Sequence, residues 1–223
     1  MIELFFSQLL NGLAIGQVYA LIALGFSLVF GVSNLINFAQ GALFMLGAFF
    51  AFSGVTWLGL PLVVAGVLSV LLVTGLGMLL ERVALRPLEN GPWVAPVLST
   101  LAISMIIDQL AEIVWSPEGQ PFPLPFEEVT FFFGGAYLTS TDLMIFGFGV
   151  LAALALTLFL SRSWMGRTLR ATAQDRDAAA QLGVRTGDVK RLAFGLAGAL
   201  GALSGVLVAL YFKSVFPQMG LPF

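Results

Sequence analysis

Cysteine and histidine are both absent from this 223-residue chain, and each absence removes chemistry. Without Cys there is no disulfide, no thiolate nucleophile and no sulfur-ligated metal. Without His the commonest general base and metal ligand is gone. Neither a metal nor a cofactor is expected. Charge is scarce as well. Only 10% of residues are Asp, Glu, Lys or Arg, where a soluble domain carries about 25%. The formal net charge is −2 and the pI is near 5.0. No broad basic surface exists to neutralise phosphates, so nucleic acid is not an expected partner.

Apolar residues fill the space that charge leaves. They make up 59% of the chain, and mean hydropathy is +0.99. A transmembrane helix needs about 20 mostly apolar residues. About six such segments fit: Leu9–Phe30, Phe38–Val55, Leu60–Leu80, Val94–Trp115, Leu143–Leu160 and Leu192–Phe212. The expected fold is an all-α polytopic membrane protein, with residues 1–223 forming one membrane domain. Met1-Ile2-Glu3 carries no basic n-region, so the first segment reads as a retained span rather than a signal peptide.

The few charges orient these spans. Seven of the ten Lys and Arg lie between Arg162 and Arg191. Arg82 and Arg86 follow the third span, and an alternating topology puts them on the same side. Only Lys213 lies opposite. By the positive-inside rule the rich side is cytoplasmic and both termini are outside. The loop at about 162–191 is longer than a helix connector needs to be, which suits a docking surface. Within it, Asp175 and Asp177 are placed to cap a short helix continued by Ala178–Leu182, with Gly183 at its end. The loop at about 116–142 has four acids (Glu118, Glu127, Glu128, Asp142) and no cation. Pro117, Pro121, Pro123 and Pro125 favour an extended first half. Val129–Phe133 and Ala136–Leu138 flank Gly134-Gly135 in a hairpin pattern.

Polar residues inside the apolar segments are the candidate pathway. Thr100, Ser104, Asp108 and Glu112 recur every fourth residue and form one stripe on a helix. Intramembrane acids face a cavity or the bundle interior. Asn34, Asn37 and Gln40 fall between two apolar segments with almost no loop. They mark either a tight turn or a second span interrupted within the membrane, where transport sites are often built. Asn11, Gln17 and Tyr19 add polar groups to the first span. Small residues at four-residue spacing (Gly12, Gly16, Ala20; Ala197, Gly201, Gly205) permit close helix packing, within the bundle or against another subunit.

Several runs, in order, resemble the permeases of branched-chain amino acid ABC transporters, and most closely the shorter of the usual permease pair. They are Asn11-Gly12-Leu13, Tyr19-Ala20-Leu21 and Ala23-Leu24-Gly25, then Asn37-Phe38-Ala39-Gln40-Gly41 and Met45-Leu46-Gly47-Ala48. Gly166-Arg167, Arg170-Ala171, Asp175, Ala178 and Gly183-Val184 are similar to that family's coupling segment. Ala193-Phe194, Ala197, Gly201 and Ser204-Gly205-Val206 continue the likeness. It implies a pore subunit, not an enzyme, in the bacterial inner membrane. It also implies a sister permease, two cytoplasmic ATP-binding subunits and a periplasmic substrate-binding protein. The chain has no GxxxxGK[ST] phosphate loop, which agrees with ATPases supplied from outside. Arg170, Asp175, Asp177, Ala178, Ala179 and Gly183 are the expected coupling residues.

Three features depart from the family. Gln40-Gly41-Ala42 stands where His-Gly-Glu is common. Asp108 stands where an uncharged Gln is expected. The chain ends at Phe223, short of the family's usual extent, and is expected to be a fragment or a shortened member. Urea or short amides are alternative substrates. An ion-coupled secondary transporter using Asp108 and Glu112 is a second class.

The charge asymmetry predicts that single cysteines at Ser140 and Ser163 label from opposite faces with a membrane-impermeant thiol reagent. Labelling of both from one face would reject the topology.

Overall fold

The computed structural model describes residues 2–88, 91–92, 94–123, 129–133 and 136–220. Helices α1 (Ile2–Ser33), α2 (Gln40–Thr56), α3 (Leu62–Leu80), α4 (Val94–Trp115) and α5 (Ser140–Arg162) are followed by two short ones. These are α6 (Trp164–Gln174) and α7 (Arg176–Gln181); α8 (Thr186–Phe212) then completes the bundle. Five of these helices are long and apolar enough to cross a membrane, and α2, at 17 residues, is a shorter apolar helix. Five of the six expected spans thus correspond to helices of spanning length, and the second corresponds to the shorter α2. Helix α3 runs on through a π-helical turn, Glu81–Leu85, and a 3₁₀ turn, Arg86–Leu88. Pro87 cannot donate to the helical ladder, and the helix stops there.

Helix α8 occupies the centre. Of its most apolar window 78% is buried, against 11–33% for the other four long helices. It packs on α1, α2 and α3. In lipid there is no water to drive apolar helices together, so their association rests on close contact and polar bridges. The small residues of α8 supply the contact. A Cβ on Gly205 would strike the carbonyl of Phe44, and one on Gly47 would strike the backbone of Ala202. The stripe Ala197, Gly201, Gly205 is thus internal packing. The stripe on α1 behaves differently: Gly12 and Gly16 are exposed, and a Cβ on either would meet nothing. Ser69 supplies a polar bridge, its Oγ donating to the carbonyl of Gly47 at 2.5 Å.

The Arg-rich end and the opposite end of the bundle are built differently. At the opposite end Trp115 stacks on Phe49 and Trp57, with ring centroids 4.9 and 6.1 Å apart. Its Nε1 donates to Ser53 Oγ at 2.6 Å. Tryptophan suits this level, where an apolar ring and a polar N–H both find partners. Two small antiparallel sheets also lie there, an addition to the all-helical expectation. Strand β1 (Gln120–Pro121) pairs with β4 (Ser214–Val215). Strands β2 (Thr130–Phe133) and β3 (Ala136–Thr139) form the expected hairpin, in register Thr130 to Thr139 and Phe133 to Ala136. Its Gly134-Gly135 turn lies outside the described residues, as do Pro125, Glu127 and Glu128. Helix α5 starts where the hairpin ends, with Asp142 Oδ2 accepting from the Thr139 N–H at 3.0 Å.

Gly205→Val should destabilise the bundle by about 1–3 kcal/mol or more, since backbone must move to admit the side chain. Gly16→Val should leave this chain's stability nearly unchanged. Thermal unfolding of the two variants in detergent gives the comparison; equal loss in both would refute the packing role of α8.

Candidate functional site

Asn34 and Asn37 sit in a non-helical connector between α1 and α2, and Gln40 opens α2. Each has a distinct local job. Asn34 takes a left-handed conformation, φ 52°, and its N–H bonds the carbonyl of Phe30 at 2.8 Å. Asn tolerates that conformation at a helix end. Asn37 is buried, and its Oδ1 accepts from the Ala39 N–H at 3.1 Å, turning the chain into α2. Gln40 is the first residue of α2. Its side chain crosses to α8 and donates from Nε2 to the carbonyl of Ala197 at 2.9 Å. Gly25 on α1 and Gly201 on α8 leave room for that amide.

This junction lies inside the apolar part of the bundle. Ala197 is about 9 Å along α8 past Arg191, the last charge before the apolar run, at 1.5 Å per residue. A hydrocarbon core is about 30 Å thick. Helix α2 therefore begins within the bundle, and its entry is irregular backbone packed among apolar helices. Such backbone is tolerated only where protein or a water-filled path satisfies it. Thr100 on α4 provides part of that support. Its Oγ1 accepts from the Phe38 N–H at 3.3 Å and donates to the carbonyl of Val97 at 2.9 Å. Two polar atoms here have no hydrogen-bond partner: Asn37 Nδ2 and Gln40 Oε1. Leaving a buried polar atom unpaired costs about 1–3 kcal/mol.

The other pathway candidates do not converge on this point. Ser104 is buried one turn along α4 from Thr100, and Asp108 is half-buried beyond it. Glu112, at the far end of the stripe, accepts from Gln109 Nε2 and Gln218 Nε2, each at 3.0 Å. Gln17 packs against Gly149 of α5. Asn11 is half-buried, and Tyr19 is half-exposed on the outer face of α1. The structure thus gathers Asn37, Gln40 and Thr100, and leaves Asn11, Gln17, Tyr19 and Asp108 apart.

The Arg-rich loop folds as two short helices. Asp175 caps α7, its Oδ1 accepting from the N–H groups of Asp177 and Ala178 at 3.0 and 2.9 Å. Gly183 ends the turn with φ 87°. Arg170, Asp177 and Ala178 are exposed. Ala179 is not: it is buried against the chain and props α7 in place. The outward surface belongs instead to Ala178, Gln181 and Leu182, and Leu182 is 86% exposed. An Ala-rich sequence does not say which Ala faces in. A turn at Gly183 joins α7 to α8, whose Arg191 reaches the buried Glu81 of the π-turn, Nε to Oε2 at 3.7 Å. Glu81 and Leu182 were not singled out in the sequence. A charge beside Arg82 and an apolar residue beside Gly183 were visible, but their partners and exposure were not.

The sequence model of the family described as branched-chain amino acid transport system, permease component, matches residues 8–223. The chain belongs to this family. Its curated relatives agree. The high-affinity branched-chain amino acid transport system permease protein BraD of Pseudomonas aeruginosa is 32% identical, over 97% of this chain and 74% of the relative. The corresponding LivH of Escherichia coli K12 is 31% identical over the same shares. A probable LivH of Methanocaldococcus jannaschii is 27% identical over 92% of this chain and 66% of its own length. No solved structure matches. As a member of a permease family the chain is a multi-pass pore subunit rather than an enzyme.

Gln40→Leu removes one hydrogen bond and one unpartnered oxygen together. The two effects offset, so stability should change by less than about 1.5 kcal/mol. Gln40→Glu places a charge between three helices and should cost about 3–5 kcal/mol. Chemical denaturation in detergent reads both; a larger loss for the Leu variant would show that the bond to Ala197 dominates.

Proposed function

We propose that this chain is the membrane subunit of an ATP-driven importer that carries branched-chain or similar amino acids into the cytoplasm. The observation that carries the reading is the family match over residues 8–223. The Arg-rich loop supports the ATP-driven part: a capped helix ends at an exposed apolar residue, Leu182, and is joined through the turn at Gly183 to the core helix α8. A soluble ATPase that holds Leu182 and the exposed side of α7 in a groove would push directly on α8. The partners are a sister permease, two cytoplasmic ATP-binding subunits and a periplasmic binding protein, assembled in the bacterial inner membrane. The connector at Asn37 and Gln40 is the proposed constriction of the pathway. An external binding protein would do most of the selecting, which leaves urea and short amides as alternative cargo.

Uptake of labelled leucine, valine, urea and acetamide by proteoliposomes holding the assembled complex tests this. ATP-dependent uptake of the amino acids is the expected result. Uptake driven by an ion gradient without ATP would reject it. The pair Asp108 and Glu112 on α4 favours that second, ion-coupled reading, and Asp108→Asn separates the two. The importer keeps transporting; an ion-coupled carrier loses uptake while still inserting normally.

Leu182→Glu tests the coupling contact. Its side chain is exposed in this chain, so folding should survive. Burying the new carboxylate in a partner's groove would reduce substrate-stimulated ATP hydrolysis by about tenfold or more. Unchanged stimulation would make the loop an ordinary solvated connector. Ala179→Glu is a poor probe, because it would unseat α7 from its own chain.

A further inference from the structure

We infer that the groove between α3 and α4 is a binding site for an anionic phospholipid, with Arg82 and Arg86 holding the headgroup. The groove encloses about 450 Å³. Leu46 and Phe50 of α2 form its floor; Leu79 and Val83 on one side and Ile103 and Leu110 on the other form its walls. The wall residues Leu79, Val83 and Ile103 to Leu110 belong to segments apolar and long enough to cross a membrane.

Helix packing in this chain follows one pattern, and the groove does not fit it. Where α2, α3 and α8 meet, glycine and alanine bring backbones into contact, Gln40 bonds α2 to α8 and Ser69 bonds α3 to α2. Association in lipid depends on such small and polar residues. The groove is lined by Leu, Ile, Val, Phe, Met-free apolar walls with Trp115 at one end, and Ala111 is its single small residue. Large branched side chains around an open slot suit a flexible acyl chain and give a second helix no close approach.

Two arginines stand together at one mouth. Arg82 adjoins the wall residue Val83, and Arg86 follows in the π- and 3₁₀-turns that continue α3 past the groove. Both guanidinium groups are exposed. Among the described residues neither forms an ion pair. By the positive-inside topology this mouth opens to the cytoplasmic leaflet, where anionic lipids and basic pockets between helices meet. Lys213 lies at the Trp115 end of the bundle but does not line the groove.

The full chain, purified in mild detergent, can be exchanged with phosphatidylglycerol and phosphatidylethanolamine of identical acyl chains and read by native mass spectrometry. Two arginines near an anionic headgroup predict a preference for phosphatidylglycerol of about thirtyfold. Arg82→Ala with Arg86→Ala should abolish the preference while leaving total lipid retention largely intact. Leu110→Trp, which fills the slot, should lower retention of both lipids. A phosphatidylglycerol bearing a photoreactive group in its acyl chain should label peptides of α3 and α4, in the chain alone and in the assembled complex. Equal retention of the two lipids by the unaltered chain would overturn the proposal. So would a preference that survives the double substitution, or crosslinking of the groove to another polypeptide instead of the lipid probe in the complex.

Discussion

Backbone contact along α8 is the constraint on which the rest of the bundle depends. Lipid is as apolar as leucine, so burying a leucine against another helix gains little there. What remains is dispersion at short range and polar bridges. Gly205 against Phe44, and Gly47 against Ala202, bring α2 and α8 close enough for both. With α8 so enclosed, α1, α2 and α3 can only arrange themselves around it. Helices α4 and α5 then pack on the outside with far more of their surface facing outward.

This arrangement explains why α2 is short. A helix held against the middle of α8 has no room to begin at the bundle's edge, because the ends of α1 and α3 occupy it: Val29, Ala39, Leu80, Ala84 and Phe194 form one cluster there. The chain therefore enters α2 through irregular backbone, and Asn37, Gln40 and Thr100 satisfy part of it. The unpartnered Asn37 Nδ2 and Gln40 Oε1 sit in the same short stretch. Buried polar atoms without partners are rare in folded proteins, and two of them beside the start of α2 make this stretch the strongest pathway candidate.

At the Arg-rich end the same helix serves a second purpose. Helix α7 turns at Gly183 and runs into α8, and Arg191 meets Glu81 in the π-turn of α3. A displacement of α7 has a short rigid route to α8 and to the end of α3. Ala179, turned inward, fastens α7 to the bundle, while Leu182 is left outside. The division between the fastening residue and the displayed one is a matter of helix rotation.

The presence and order of the apolar helices, the loop that holds most of the arginines and the β2–β3 hairpin were legible in the sequence. Each follows from a local property: a run of apolar residues long enough for a bilayer, a charge that cannot enter hydrocarbon, a turn composition. The caps at Asp175 and Gly183 were legible for the same reason, since a cap involves residues within one turn of each other. The rest was decided by tertiary structure. Two stripes of small residues look alike in sequence, yet Ala197, Gly201 and Gly205 face other helices while Gly12 and Gly16 face outward. Gln40 gives no sign that its partner is a carbonyl 157 residues away. Nothing local distinguishes Ala178 from Ala179. Spacing along a helix defines a face, but which neighbour that face meets depends on how all the helices pack at once.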